Sequence, residues 1–426
     1  MAEGENKFIA ILQEKLSPIA VKLDQNRYIT AIKDGFFGAM SLIVVGSFFL
    51  LLANLPINGY ASFMKGLLGN NWQNYFMVPY NVSFNIMTLY VIIAMAASLG
   101  GQYKLDRIAC IMSALVAFLI LTPLATFKTL LYIPQGNLSA NGLFVGMIVA
   151  ILAVEIVHFT DKRGWKIKMP DSVPENVTRS FSALIPIAII MVIFDLVSIL
   201  FSLTSFESVQ AFIFHYLQTP LTHLGGTLPA MIIVELFQQI LWSFGIHGAN
   251  VVGGIMQPIW FALTAQNATA FEAGKILPNI IDYQFNQNFV CIGGSGATLG
   301  LVIYMLFGAK SQQYKQLGKL AIVPGIFNIN EPIIFGVPIV LNPIMMIPFI
   351  LTPLVLIIVS WLSMKLGLVP LTNGTNIPWT TPPIISGLLV SGWKGMVLNI
   401  AEILISMGIY LPFFKAADNM ALENEK

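Results

Sequence analysis

Two ionisable side chains stand in the interruptions of an otherwise apolar chain, where a titratable group is expensive and marks function by default. His247 lies in Trp242-Ser-Phe-Gly-Ile-His-Gly-Ala-Asn250, at the end of an apolar run over 228–246 that reads as a long helix. Glycines on both sides of it allow a backbone or ligand to come close. Glu331 lies in Phe327-Asn-Ile-Asn-Glu-Pro-Ile-Ile-Phe-Gly336. Pro332 biases Glu331 away from helical geometry, so its carboxylate is expected at a break between two apolar runs. A neutral imidazole donates from one nitrogen and accepts at the other. A carboxylate within hydrogen-bond reach of a hydroxyl can take its proton. Together they suit a hydroxyl that must be held and then deprotonated. The plainer readings are an imidazole satisfied by a backbone carbonyl and a carboxylate in a structural ion pair. Few basic residues lie near Glu331 to make such a pair.

Two further breaks could complete a site. Cys291-Ile-Gly-Gly-Ser-Gly-Ala-Thr-Leu299 is glycine-rich but lacks the Gly-Lys-Ser/Thr of a nucleotide loop, so a re-entrant tip whose backbone nears a ligand is expected. Asn373-Gly-Thr-Asn-Ile-Pro-Trp379-Thr-Thr-Pro-Pro383 is a second polar break. Planar amides and carboxylates beside aromatic faces are what a sugar requires. The expected contact set is His247, Asn330, Glu331, Trp242, Trp379, Gly294, Gly296 and Asn250. Either Trp could instead be an interfacial belt residue. Glu155, Asp195, Glu235 and Glu402 sit in regular apolar runs and read as helix–helix or interfacial groups, with Glu235 singled out because it shares the expected His247 helix. Cys110 and Cys291 read as two buried thiols. No metal-ligand spacing or cofactor motif is present, and a formal charge of +2 points to no nucleic acid. The Asn-X-Ser/Thr matches at Asn81, Asn137 and Asn373 carry no weight in a bacterial-looking chain.

The elements that must position these residues are membrane helices. Apolar residues make up 56% of the chain and charged residues 10%, against about 25% charged in soluble domains. A span needs about 20 mostly apolar residues. Such runs fall near 36–55, 76–99, 106–123, 142–159, 181–203, 228–246, 344–366 and 395–414. The stretch 250–343 is apolar but broken by glycines and prolines, which lipid does not tolerate but protein or a watery cavity does. Two re-entrant hairpins and two further spans are expected there, giving an all-α polytopic membrane protein of about ten spans. Residues 1–28 mix charged and apolar side chains without a signal-peptide core and read as an amphipathic cytoplasmic helix.

Loop charge sets the orientation. Lys162, Arg163, Lys166 and Lys168 crowd one loop, Lys310, Lys315 and Lys319 another, and Lys104 and Arg107 a third, whereas 204–227 has no Lys or Arg. With a cytoplasmic N-terminus all basic loops fall inside, and the C-terminus does too. The chain divides into scaffold spans over 1–203, an amphipathic connector over 204–227, and a transport half over 228–426.

Gly245-Ile-His-Gly248 followed by Asn328-Ile-Asn-Glu-Pro-Ile-Ile-Phe-Gly336 resembles the enzyme IIC components of the phosphotransferase system, in the lactose, diacetylchitobiose and β-glucoside family. The likeness extends to the lead-in Arg27-Tyr-Ile-Thr-Ala-Ile-Lys-Asp-Gly35 and to Pro378-Trp379-Thr380, and so covers essentially the whole chain. It implies a homodimeric, multi-pass permease of the bacterial inner membrane that carries a β-linked disaccharide. Its C-terminal half would move the sugar, and His247 and Glu331 would meet the hydroxyl to be phosphorylated. The phosphoryl donor would be a phosphocysteine on a separate B subunit. The residues alone leave two alternatives open: an ion-coupled sugar carrier with Glu331 as proton site, and a membrane glycosyl-processing enzyme. The latter needs a second carboxylate, for which Asp282, in an expected loop, is the one apparent candidate.

Overall fold

The long apolar runs fold as helices because a backbone in hydrocarbon must satisfy its own N–H and C=O groups. The computed structural model describes Lys22 and residues 25–425, apart from 56–58, 168, 171–172, 175–177, 179–180, 338 and 340–341. Most of the helix expected over 1–28 lies outside these residues. The first half of the chain contains α1 (Arg27–Ala53), α2 (Tyr60–Leu68), α3 (Trp72–Asn81), α4 (Met87–Gln102), α5 (Arg107–Leu121), α6 (Leu143–Lys162) and α7 (Leu184–Ser202). A two-stranded hairpin, β1 (Ala125–Phe127) against β2 (Leu130–Tyr132), joins α5 to α6. Side-chain caps fix two helix starts. Asn26 Oδ1 accepts from the Tyr28 and Ile29 amides at 3.0 and 3.2 Å, and Asp106 Oδ1 accepts from Ala109 at 2.9 Å.

The second half is more broken. A segment α8 (Val209–Gly225) meets α9 (Leu228–Ser243) at a bend of 76°. Then come α10 (Gly248–Glu272), α11 (Tyr283–Phe285) with a π turn over Asn286–Val290, α12 (Leu299–Gly308), α13 (Gln312–Ile326), α14 (Glu331–Gly336), α15 (Pro343–Lys365) and α16 (Ile385–Asn424). Among the described residues 6 helices are long and apolar enough to cross a membrane, and the bent α8–α9 pair makes 7. The remaining apolar helices, α5 and α12, are shorter. The run expected over 395–414 is part of α16, which breaks at Gly392, where φ is 70°.

One expectation is corrected here. Residues 248–272 form a continuous helix despite Gly253, Gly254 and Pro258. Gly254 serves packing rather than breakage: a Cβ there would overlap Ile29 of α1. Phe36 of α1 also stacks on Phe261 of α10 at 5.1 Å. Side chains of α10 and of residues 281–290 thereby share one core with α1, α4, α5 and α6. A second core gathers Trp242, Leu301, Met305, Ile334, Phe349 and Phe414. The functional residues lie where the two cores meet.

Candidate functional site

Helix α9 stops because Gly245 turns to φ 78°, a left-handed conformation that suits glycine. His247 therefore does not end α9, as its place in the sequence suggests. It begins α10, with its Nδ1 accepting the Asn250 amide at 3.2 Å. A nitrogen that accepts carries no proton, so the neutral ring bears its hydrogen on Nε2. Trp242 tilts against the imidazole, ring centroids 4.2 Å apart, and is only 4% exposed. The close turn also needs Gly248, since a Cβ there would run into the Gln238 carbonyl.

Glu331 is placed by asparagines. The loop between the π turn and α12 holds Gly293, Gly294 and Gly296 at φ 75°, 93° and 80°. Asn330 Nδ2 donates to the Ser295 carbonyl at 2.5 Å and to Thr298 Oγ1 at 3.1 Å. Asn328, itself at φ 62°, accepts from the Gly293 amide at 2.8 Å. Its Nδ2 donates to the carbonyls of Trp379 at 2.7 Å and Thr381 at 3.1 Å. One side chain thus joins three interruptions: the glycine loop, the Asn-Glu-Pro turn and the Trp379 segment. Glu331 opens α14, next to these bonds, and is exposed.

These parts enclose a cavity of about 250 Å³. Its wall includes Trp242, His247, Asn250, Gly294, Asn330, Glu331 and Trp379. Gly296 is not in it: a Cβ there would strike the Phe349 ring, and its carbonyl accepts from Tyr410 Oη at 2.7 Å. Trp379 is 37% exposed and offers an open surface, whereas Trp242 is buried against His247. Gln238, Gln257, Tyr283 and Asn286 also line the cavity. Gln238 lies one helical turn before Trp242 and Gln257 two turns after Asn250, so helical spacing from residues already singled out was the signal for both. Cys291 lines the cavity and is only partly buried, unlike Cys110.

Among the described residues Glu331 is the one carboxylate in the wall, and none of them there is Lys or Arg. The remaining carboxylates are held elsewhere. Asp282 does lie in a loop, where it caps α11, but it is buried there and accepts from the Phe285 amide and Thr372 Oγ1, both at 2.8 Å. Glu402 accepts from Ser360 and Asn399, Glu235 from Gln238 and Gln239, and Glu155 from Tyr28 and Tyr103. Asp195 is exposed on α7. A glycosidase pair, which needs two carboxyl groups flanking one bond, is therefore missing from this cavity. Among the described residues no His, Cys, Asp and Glu cluster could hold a metal.

Comparison with known proteins places this arrangement. Residues 33–353 match the family model described as phosphotransferase system, EIIC. The chain is 43% identical to the lichenan permease IIC component of Bacillus subtilis (strain 168), over 99% of this chain and 96% of that protein. It is 42% identical to the cellobiose-specific EIIC component of Geobacillus stearothermophilus, with the same coverage of 99% and 96%. Its fold superposes with a TM-score of 0.94 on the crystal structure of the transporter ChbC, the IIC component of the N,N'-diacetylchitobiose-specific phosphotransferase system. That pair is 42% identical, over 97% of this chain and 99% of the other. The resemblance carried by the Gly-Ile-His-Gly and Asn-Glu-Pro stretches thus extends through the whole fold, and the chain belongs to the EIIC family of multi-pass membrane permeases of the phosphotransferase system.

Proposed function

We propose that the chain binds a β-linked disaccharide, carries it inward, and presents its 6-hydroxyl to a phosphorylated B subunit. The observation that carries this reading is the meeting of His247 and Glu331 in one cavity whose wall has a single carboxylate. The names of the relatives, permeases of lichenan, cellobiose and diacetylchitobiose systems, supply the sugar class. Trp379 provides the open aromatic surface for a ring, and Asn330, Asn250 and Gly294 line the same space. Trp242 supports the imidazole rather than the sugar.

The roles of the two titratable groups follow from their bonds. His247 spends Nδ1 on the helix cap, so its neutral ring donates from Nε2 to the hydroxyl oxygen and takes no proton from it. Glu331 is then the base. As its carboxylate accepts the hydroxyl proton, the oxygen attacks the phosphorus of the B subunit's phosphocysteine. The S–P bond breaks, and the cysteine leaves as thiolate. This chain forms no covalent intermediate.

The rest of the reading is architectural. Two copies pair through the N-terminal spans, where α7 exposes Val192, Leu196 and Leu200, while lipid covers the remaining apolar faces. Residues 1–203 act as scaffold, 204–227 as connector, and 228–426 move the sugar. Both termini lie in the cytoplasm, with the B subunit docking at the basic loops.

Glu331→Gln tests the chemistry. A general base is worth about 10²–10⁴ in rate, so phosphorylation of cellobiose or diacetylchitobiose should fall at least about 100-fold, with the folded protein recovered in normal yield. Uptake and phosphorylation at the unaltered rate would remove Glu331 from the mechanism. A protonophore that stops uptake while the phosphoryl donor is intact would favour ion coupling instead.

A further inference from the structure

A second groove, of about 790 Å³ and with polar side chains in a largely apolar wall, lies beside α10 away from the His247 cavity. It is lined by His223 of α8, Gln266 of α10, Asn279, and Trp361 and Lys365 of α15. We propose that this groove is an outer capture site for the same class of sugar, from which the disaccharide passes to the His247 cavity. The inference rests on the permease reading above.

Position is the first argument. Gln218 Nε2 donates to the Ala140 carbonyl at 3.0 Å, and Gln210 Nε2 to Thr122 Oγ1 at 3.2 Å. These bonds tie α8 to the end of α5 and the approach to α6. The basic residues Lys104, Arg107, Lys162 and Arg163 flank the opposite ends of those two helices. Although its wall holds Lys365, the groove therefore opens at the end away from these basic loops, which the positive-inside rule makes the outer end.

Continuity is the second argument. Asn250, Gly253, Gln257 and Trp260 of α10 line the His247 cavity, and Leu263 and Gln266 line the groove. The steps between them are three or four residues, mostly three, so the row winds about half way round α10 and the two spaces lie on different sides of one helix. From Asn250 to Gln266 the helix rises about 24 Å at 1.5 Å per residue. One ring links the two walls. Trp260 lines the cavity, and its Nε1 donates at 3.2 Å to the carbonyl of Gly225, the neighbour of the groove residue Gly226.

Chemistry is the third argument. Trp361 is half-buried, with Lys365 Nζ 6.0 Å from its ring centroid. Asn279 Nδ2 donates to Gln266 Oε1 at 2.9 Å and to the Leu263 carbonyl at 3.1 Å. That bonding orients Asn279 Oδ1 as an acceptor and Gln266 Nε2 as a donor. An aromatic body beside an oriented acceptor and donor fits a pyranose, whose C–H face is apolar and whose hydroxyls do both jobs.

The test compares the two sides of the membrane. Membrane vesicles carrying the full-length protein would be prepared right side out and inside out, each with phosphorylated B subunit on the cytoplasmic face. Trp361→Ala and Gln266→Ala should raise the half-saturating concentration of cellobiose or diacetylchitobiose for uptake about fivefold, the scale of one lost aromatic or polar contact. The maximal rate should hold, and phosphorylation of sugar supplied from the cytoplasmic side of inside-out vesicles should not change. Trp361→Phe, which keeps an aromatic face, should restore most of the uptake affinity. Unchanged uptake in both alanine variants overturns the capture site. So does an equal loss from both sides, which makes the residues structural, or an effect that follows phospholipid headgroup composition instead of sugar. If unaltered vesicles take up neither sugar, the permease reading falls and takes the capture site with it. If they take up sugar and the variants match them, the capture site alone falls.

Discussion

At the scale of the residue, His247 has one observed duty and one proposed, and substitution can separate them. Its Nδ1 caps α10, and its Nε2 is assigned to the sugar. Asparagine is a strong N-cap, whereas alanine is a poor one, and losing a cap costs about 1 kcal/mol. His247→Asn should therefore keep the thermal stability of the unaltered protein and lose sugar affinity, because the shorter amide stops short of the hydroxyl. His247→Ala should lose both, which thermal unfolding and calorimetric sugar titration on purified protein would show. Equal stability in the two variants would mean that the cap bond contributes nothing. The sequence made His247 and Glu331 legible as a pair, since both sit in polar breaks of an apolar chain. It did not show that Nδ1 was already engaged, because the cap depends on Gly245 entering the left-handed region. Nor did it show Asn328 as the residue joining three segments. Two of its partners, the carbonyls of Trp379 and Thr381, lie 51 and 53 residues away, and nothing local announces them.

At the scale of the element, the glycines of α10 show how composition misleads. Gly253, Gly254 and Pro258 read as breaks, yet the helix runs through them. In water glycine weakens a helix by roughly 1 kcal/mol relative to alanine. Between packed membrane helices the same residue allows close approach, which sequence alone does not separate from a break. Gly254 faces Ile29 with no room for a Cβ. Gly254→Leu should therefore push α10 from α1 and destabilise the protein by about 1–3 kcal/mol, the usual cost of overpacking. A lower midpoint of thermal unfolding in detergent would record it. An unchanged midpoint would show that the α1–α10 contact is slack. The clean spans of the first half were legible because lipid demands length and apolarity and little else. The second half was not, because its helices are cut to the shape of the cavity.

At the scale of the whole molecule, charge asymmetry makes a prediction about sides. In a background lacking Cys110 and Cys291, a cysteine replacing Lys166 and one replacing Ser208 should react with an impermeant maleimide from opposite faces. Lys166 is exposed in the basic loop after α6, paired with Asp161 at 3.1 Å, and Ser208 caps α8 at 3.1 Å from the Ala211 amide. Reaction from one face would reverse the orientation of the second half and place the outer capture site in the cytoplasm. The count of spans was less legible than the helices themselves. Ten were expected from apolar runs and breaks, whereas 6 or 7 described helices meet the length and composition of a crossing. Polar faces such as that of α10 explain part of the difference, because protein rather than lipid surrounds them.

The cavity's own charge has a consequence for the direction of flow. Its wall carries Glu331 and no Lys or Arg. An uncharged sugar is indifferent to that imbalance, but a sugar phosphate is not. On the proposed roles, once Glu331 has passed on the proton it took, the product sets a fresh negative charge beside a carboxylate with no Lys or Arg among the described wall residues to share it. Two like charges 4 Å apart repel by about 4 kcal/mol at an effective dielectric of 20, which is roughly a thousandfold in affinity. The site then behaves as a rectifier. Phosphorylation turns a ligand it holds into one it rejects, so return through the same cavity is closed by electrostatics even when the path itself is open.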